Sequence, residues 1–235
     1  MSADVSIHPV EELPGRFARL VEDTARQAIE ERRSFSIAVP GGSAAEFLFP
    51  ALATAAIDWP KVSVFWVDER MVPPDDADSN FRLAGDIWLN KVPIPAAQIH
   101  RMHGEDPARA AAEEYARTLT VALGAPARLD LALLGVGPDG HVASLFPGHR
   151  LLRAWDRDVA VLEDAPKPPP ARMTLTLKAL TAARRVVVFA TGTAKAKVIA
   201  EVLADDESEL PLALATMGEA PVTYLLDPEA ASQLA

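Results

Sequence analysis

Short apolar runs alternate along this chain with longer stretches whose apolar positions recur near the helical period. The runs at residues 5–8, 36–39, 62–67, 129–134, 159–162, 173–177, 185–190 and 222–226 predict strands. Between them, residues 10–33 place Leu13, Phe17, Leu20, Val21, Ala25, Ala28 and Ile29 on one face and predict a helix. Residues 44–55, 79–91, 107–123 and 193–203 also read as helices, with Ser43 and Ser79 as their caps at the first two. A Pro- and Asp-rich loop is expected over 68–78, a rigid loop over 167–170, an acidic surface loop over 205–209, and a last helical turn or two over 228–234. Strands separated by helices imply right-handed parallel crossovers. The expected fold is α/β: one domain over residues 1–235, a Rossmann-like open, mostly parallel sheet with helices on both faces.

Composition narrows the field. With 235 residues, 49% of them hydrophobic, the chain can bury a sizeable core. A net charge of -10 and the lack of a basic cluster argue against nucleic acid as a partner. No apolar run is long enough to span a bilayer, so no membrane is expected. There is no cysteine, which excludes disulfides, thiol catalysis and thiolate metal sites and fits a reducing compartment. The first residues carry no signal-like pattern. The expectation is a cytoplasmic protein.

The chemistry gathers where strands end. Residues 129–134 run into Gly135-Val-Gly-Pro-Asp-Gly-His141, which delivers Asp139 and His141 at a carboxyl edge, where open α/β sheets bind ligands. His141 is the candidate proton carrier. The loop also matches the dinucleotide pattern G-x-G-x-x-G, with Glu163 at a suitable distance. Pro138 and Pro147-Gly148 interrupt the helix that a Rossmann turn requires, and this disfavours a nucleotide. Gly41-Gly42-Ser43 joins a strand to a helix and is either an anion-binding helix start or an ordinary turn. Asp68-Glu69-Arg70 follows a strand directly and is either a solvated charge run or part of the same crevice. Asp78-Ser79-Asn80 is explained by capping alone. Lys195 sits in a helix's first turn, a poor place for a cation unless an anion lies nearby. His149 is expected to line the crevice. No His, Cys or acid spacing supports a metal.

Taken together and in order, Gly41-Gly42-Ser43, Trp66-Val-Asp-Glu-Arg70, Asp78-Ser79-Asn80, Leu134 through His149, Arg172-Met-Thr-Leu-Thr176 and Gly192-Thr-Ala-Lys195 resemble the 6-phosphogluconolactonase family. The related glucosamine-6-phosphate deaminases share the histidine loop but typically carry an aromatic residue at the position of Arg70 and a Phe-Asn-Glu-Pro continuation. A deaminase or a non-catalytic sugar-phosphate binder remains the alternative. The resemblance implies metal- and cofactor-free hydrolysis of 6-phospho-D-glucono-1,5-lactone in the pentose phosphate pathway, with a small sugar phosphate as substrate. It implies His141 as general base, oriented by Asp139 or Asp68. The oxyanion would face Arg70 or the amides of the 135–140 loop. Gly41, Gly42, Ser43, Arg70 and Lys195 are the phosphate candidates; Glu69, Asn80, Gly137, Gly140, His149 and Arg172 are expected to line the site. Ala44-Ala45 and Val142 depart from the family's usual Thr-Pro and Thr.

Overall fold

The computed structural model describes residues 3–234, so the outermost ends of the expected 1–235 unit lie outside the described residues. Among the described residues nine strands form two sheets. Strands β1 (Asp4–Ile7), β2 (Phe35–Val39), β3 (Val62–Trp66), β5 (Leu131–Gly135), β8 (Val186–Ala190) and β9 (Val222–Leu226) make a six-stranded sheet in the order β1-β9-β8-β5-β2-β3. Every pairing in it is parallel. All five residues of β2 and all five of β8 are buried. A strand covered on both faces needs an unbroken apolar run, which is why Phe-Ser-Ile-Ala-Val and Val-Val-Val-Phe-Ala read so clearly.

Seven helices connect these strands: α1 (Leu13–Arg32), α2 (Gly42–Leu52), α3 (Asn80–Ile87), α4 (Ala108–Leu123), α5 (Leu177–Thr181), α6 (Ala196–Ala204) and α7 (Pro211–Thr216). They flank the sheet as an open α/β fold requires. The chain passes from β2 outward to β3 and then returns to place β5 on the other side of β2. The carboxyl ends of β2 and β5 therefore flank a topological switch point, the position at which such sheets leave a crevice.

Two strands of the second sheet, at 159–162 and 173–177, were expected; the third was not. Residues 68–70, expected as loop, form β4 (Asp68–Arg70), which pairs antiparallel with β7 (Arg172–Leu175); β7 pairs in turn with β6 (Val159–Leu162). A three-residue charged strand has no periodicity of its own, and only its distant partner creates it. The pairing sets Arg70 opposite Arg172 and Asp68 opposite Thr174. Buried residues of both sheets, such as Leu134, Met173 and Leu175, belong to one apolar cluster.

Four boundaries also differ. Gly41, not Ser43, is the N-cap of α2. A 3-10 turn over Val10–Glu12 precedes α1, and another over Thr193–Lys195 precedes α6, so Lys195 lies just before the α-helix. The final helical turns expected over 228–234 are non-helical turns. Helices α5 and α7 are too short for their period to register in the sequence.

Candidate active site

A cleft of about 210 Å³ opens at the switch point. Its floor is the end of β5, Gly135-Val136-Gly137. One wall is Pro40-Gly41-Gly42-Ser43-Ala44 at the start of α2, and the other carries Asp68, Arg70 and Arg172 from the second sheet. His141, Lys167 and Lys195 complete it. Of the residues singled out in the sequence, Gly41, Gly42, Ser43, Asp68, Arg70, Asn80, Gly137, His141, Arg172 and Lys195 converge here.

The histidine loop is built around glycine. The Gly137 amide donates to the His141 carbonyl (2.9 Å) and the Gly140 amide to the Gly137 carbonyl (3.0 Å), which closes the turn. A Cβ on Gly137 would collide with the His141 ring and with the Asp139 carboxylate. Glycine there lets the acid and the imidazole meet over bare backbone: His141 Nδ1 lies 2.5 Å from Asp139 Oδ1. A carboxylate only accepts, so Nδ1 carries the proton and Nε2 is left as an acceptor. Burial holds the His141 imidazole below its ordinary pKa, against the opposing pull of Asp139. Partial burial pushes Asp139 up, but its bond to His141 and that ring's charge outweigh this, and its carboxyl ends below the usual range. The pair is a neutral imidazole held by an anion.

Asp68 is engaged elsewhere. Its Oδ2 accepts from Ser144 Oγ at 2.7 Å, and Asn80 Nδ2 donates to its carbonyl at 2.9 Å. Between the two acids, Asp139 is the one bonded to His141. Two of the loop amides are spent as well: those of Gly137 and Gly140 bind within the turn, and Pro138 has none.

Two helix starts border the cleft. α2 begins with no side-chain cap among the described residues, and Gly42 takes a φ of 62° to make the turn. Its first N–H groups have no partner inside the helix. α3 is the opposite. Ser79 Oγ accepts from the Arg82 amide (3.2 Å), while buried Glu69 accepts from the amides of Asn80 (2.7 Å), Phe81 (2.8 Å) and Arg70 (2.8 Å). Burial pushes the Glu69 carboxyl up to about 7, although those three amide bonds pull the other way. The fixed Asn80 then packs where any Cβ on Gly41 would stand.

Three expected lining residues lie outside the cleft. Glu69 faces the start of α3. Gly140 takes a φ of 83° and packs toward Val198 and Leu210. His149 caps the 3-10 turn Arg150–Arg153, its Nε2 3.2 Å from Asp164. Proximity in sequence to the histidine loop was the signal for His149, and Pro147-Gly148 turns it away.

Lys167 was not among the expected residues; before Pro168-Pro169-Pro170 it reads as the start of a solvated loop. Arg172 explains its placement. Its guanidinium donates to the carbonyls of Pro169 (3.0 Å), Lys167 (2.9 Å) and Pro168 (3.3 Å), folding the loop over the cleft. Arg70 is tied by one nitrogen to the Asp78 carbonyl (2.9 Å), while its buried Nε has no partner among the described residues. Lys195 lies below its ordinary pKa, first through burial and then through repulsion from Lys167. Four cations thus face one small cleft in a protein of net charge -10. Among the described residues, no group of three or more His, Asp or Glu side chains is placed to hold a metal.

This is the geometry of a small-molecule site that receives an anion beside a basic histidine, on an open α/β sheet. The family model for glucosamine-6-phosphate isomerases/6-phosphogluconolactonase matches residues 9–224, and the chain belongs to that family. It is 40% identical to the 6-phosphogluconolactonase of Rattus norvegicus, over 95% of this chain and 90% of the rat protein. It is 41% identical to the probable 6-phosphogluconolactonase 3, chloroplastic, of Oryza sativa subsp. japonica, over 92% of this chain and 72% of the rice protein. The structure of 6-phosphogluconolactonase from Trypanosoma brucei superposes with a TM-score of 0.88 at 30% identity, covering 100% of this chain and 99% of that one.

Proposed function

We propose that this chain is a single catalytic unit that hydrolyses 6-phospho-D-glucono-1,5-lactone to 6-phosphogluconate, a step of the pentose phosphate pathway. The family and its 6-phosphogluconolactonase relatives support the reaction. The observation that carries the mechanism is His141, held by Asp139 in a cleft that gathers four cations.

The phosphate is held by Lys195, by Lys167 and by the open start of α2, with Ser43 adding a hydroxyl; a dianion satisfies the free N–H groups that no side chain caps. This leaves the lactone carbonyl near His141. Nε2 takes a proton from water as the water oxygen attacks the carbonyl carbon. The electron pair of the C=O bond moves onto oxygen, which Arg70 faces, since the Gly137 and Gly140 amides are engaged. The tetrahedral centre collapses, the bond to the ring oxygen breaks, and the imidazolium returns its proton to that oxygen. The acid formed ionises to a carboxylate. Asp139 keeps the proton of Nδ1 in place throughout. No step calls for a metal or a redox cofactor.

The deciding experiment generates the lactone in situ and measures its hydrolysis above the spontaneous rate, with and without exhaustive chelation. Turnover that survives EDTA is expected. Ammonia release from glucosamine-6-phosphate in place of lactone hydrolysis would overturn the assignment, and activity restored to a chelated sample by one metal would overturn the metal-free mechanism.

Among the described residues no helix is long and apolar enough to cross a membrane. A cytoplasmic location is proposed from the absence of cysteine, which fits a reducing compartment. The rice relative is named chloroplastic, so fractionation of the native source tests the compartment.

A further inference from the structure

At the opposite end of the six-stranded sheet, where its strands begin, lies a second cavity of about 400 Å³. Its size exceeds that of the catalytic cleft, and four arginines line it: Arg32, Arg128, Arg184 and Arg185. The β-strand rise of about 3.3 Å per residue puts the five-residue strand β2 between the two ends, so a ligand here is remote from His141.

The arrangement is organised from below. Asp130 is buried and accepts from the Ser36 amide (2.8 Å) and the Ser36 hydroxyl (2.9 Å) at the start of β2. Its other oxygen takes Arg32 Nε (3.0 Å) and lies 3.4 Å from Arg184 Nε. Asp130 thus hydrogen-bonds one guanidinium at its inner edge and ion-pairs with a second. Arg128 is fixed in the same way, its Nε donating to the Ala182 carbonyl at 3.0 Å. Pinned at Nε, a guanidinium still offers its two terminal nitrogens in a planar fork, the geometry that matches two oxygens of a phosphate. Among the described residues the terminal nitrogens of Arg128 and Arg184 and the whole guanidinium of Arg185 have no protein acceptor. Three acids also line the cavity, but each is accounted for. Asp130 is saturated, Glu31 is bound by Gln27 and Arg32, and Glu219 is exposed at the rim. Against these three acids the four arginines leave the lining with a net positive charge in a protein of net charge -10, which attracts an anion.

We propose that this cavity is a second anion site, which takes a small ligand bearing phosphate or pyrophosphate oxygens between Arg128, Arg184 and Arg185. It is independent of the catalytic cleft and shares no residue with it.

Calorimetric titration with inorganic pyrophosphate at fixed ionic strength tests this. Wild-type protein is expected to bind two equivalents. Arg185→Glu reverses a charge that makes no protein hydrogen bond; it should weaken one of the two at least tenfold and leave lactone turnover unchanged. Lys195→Ala should weaken the other. Arg128→Ala, with circular dichroism to confirm folding, repeats the test at a second residue. A wild-type stoichiometry of one that Lys195→Ala alone removes would overturn the proposal, and so would unaltered binding of both equivalents to Arg185→Glu and Arg128→Ala. Because turnover is read separately, loss of the second site and failure of the lactonase assignment give different results.

Discussion

Helices α2 and α3 begin within reach of the same asparagine, yet their first turns are finished in opposite ways. At α3, Ser79 and Glu69 together occupy the amides of Asn80, Phe81 and Arg82, and the helix start is closed to any ligand. At α2, glycine stands where a capping side chain would be, and among the described residues none reaches its free amides. A glycine N-cap in place of a capping side chain costs about a few tenths of a kcal/mol. Other helices, such as α1 and α4, also begin without a side-chain cap; of the starts of α2 and α3, only that of α2 is left open toward the cleft. Of these two starts, the satisfied one belongs to the scaffold and the open one borders the cleft. The histidine loop follows the same division: its glycine amides are spent on the turn, while the Nε2 of His141 remains free.

The hardest test of this division removes the free group. His141→Ala is expected to lower kcat about 10²–10⁴-fold, the usual worth of a general base. Melting temperature should change little, because the ring is bound to Asp139 alone and that acid is half exposed. The pH profile sharpens the point. Burial lowers the His141 pKa, so the base form persists through neutrality and activity falls only as pH drops below the ordinary histidine range. The variant should lose that acid limb. A variant with wild-type kcat, or one that keeps the limb, would show that the free nitrogen is not the base.

Next in size is the anion end of the cleft. Lys195→Ala should lower kcat/KM about 10–150-fold on the phosphorylated lactone, the equivalent of one charge-assisted hydrogen bond. Its effect on an unphosphorylated lactone should be slight. Equal losses on both substrates would move Lys195 from the phosphate to the reacting carbonyl.

How much of this could be read in the sequence depended on how local each cause was. β2, β5 and β8 are buried on both faces, so their apolar runs announced the sheet, and with it the positions of Gly41-Gly42-Ser43 and Gly135 through His141 at strand ends. β4 escaped notice because its partner, β7, is about a hundred residues away, and so did the pairing that sets Arg70 opposite Arg172. Asp139 and Asp68 were equally placed as partners of His141 until Ser144, a residue with no signal of its own, was seen to hold Asp68. Lys167 reached the cleft through three carbonyl contacts of Arg172, which no pattern in the chain encodes. Glu69 was expected to line the site but faces the start of α3: a carboxylate beside a catalytic loop looks the same in sequence whether it faces substrate or a helix start.

That distinction can itself be broken. Glu69→Gln keeps the shape of the side chain but replaces one accepting oxygen with an NH₂ group. Glu69 Oε1 serves Arg70 and Asn80, and Oε2 serves Phe81 and Ser79, so either orientation of the amide sets a donor against a donor. The loss should be about 1–3 kcal/mol of stability, read by denaturant or thermal unfolding. KM should rise with it, because Asn80 and Arg70 are held by the same carboxylate. Unchanged stability would mean that α3 is closed without Glu69.

The smallest effect is the most diagnostic, because stability and activity should move in opposite directions. Ser43→Asp puts a carboxylate in the exposed first turn of α2, within the range of the helix dipole and of the free amides. As a fold, the protein should gain about 0.3–1 kcal/mol, the usual contribution of an acid at a helix start. As an enzyme it should lose, since the new negative charge occupies the ground kept for a phosphate dianion and repels it. KM for the phosphorylated lactone should rise, while turnover of an unphosphorylated lactone, which depends on His141 and Asp139, should hold. Thermal melts and paired kinetics on the two lactones read both arms. A stabilised variant that binds the phosphorylated lactone as well as the wild type would show that the open start of α2 is not where the phosphate lies. The contrast between the two helices would then be one of local packing.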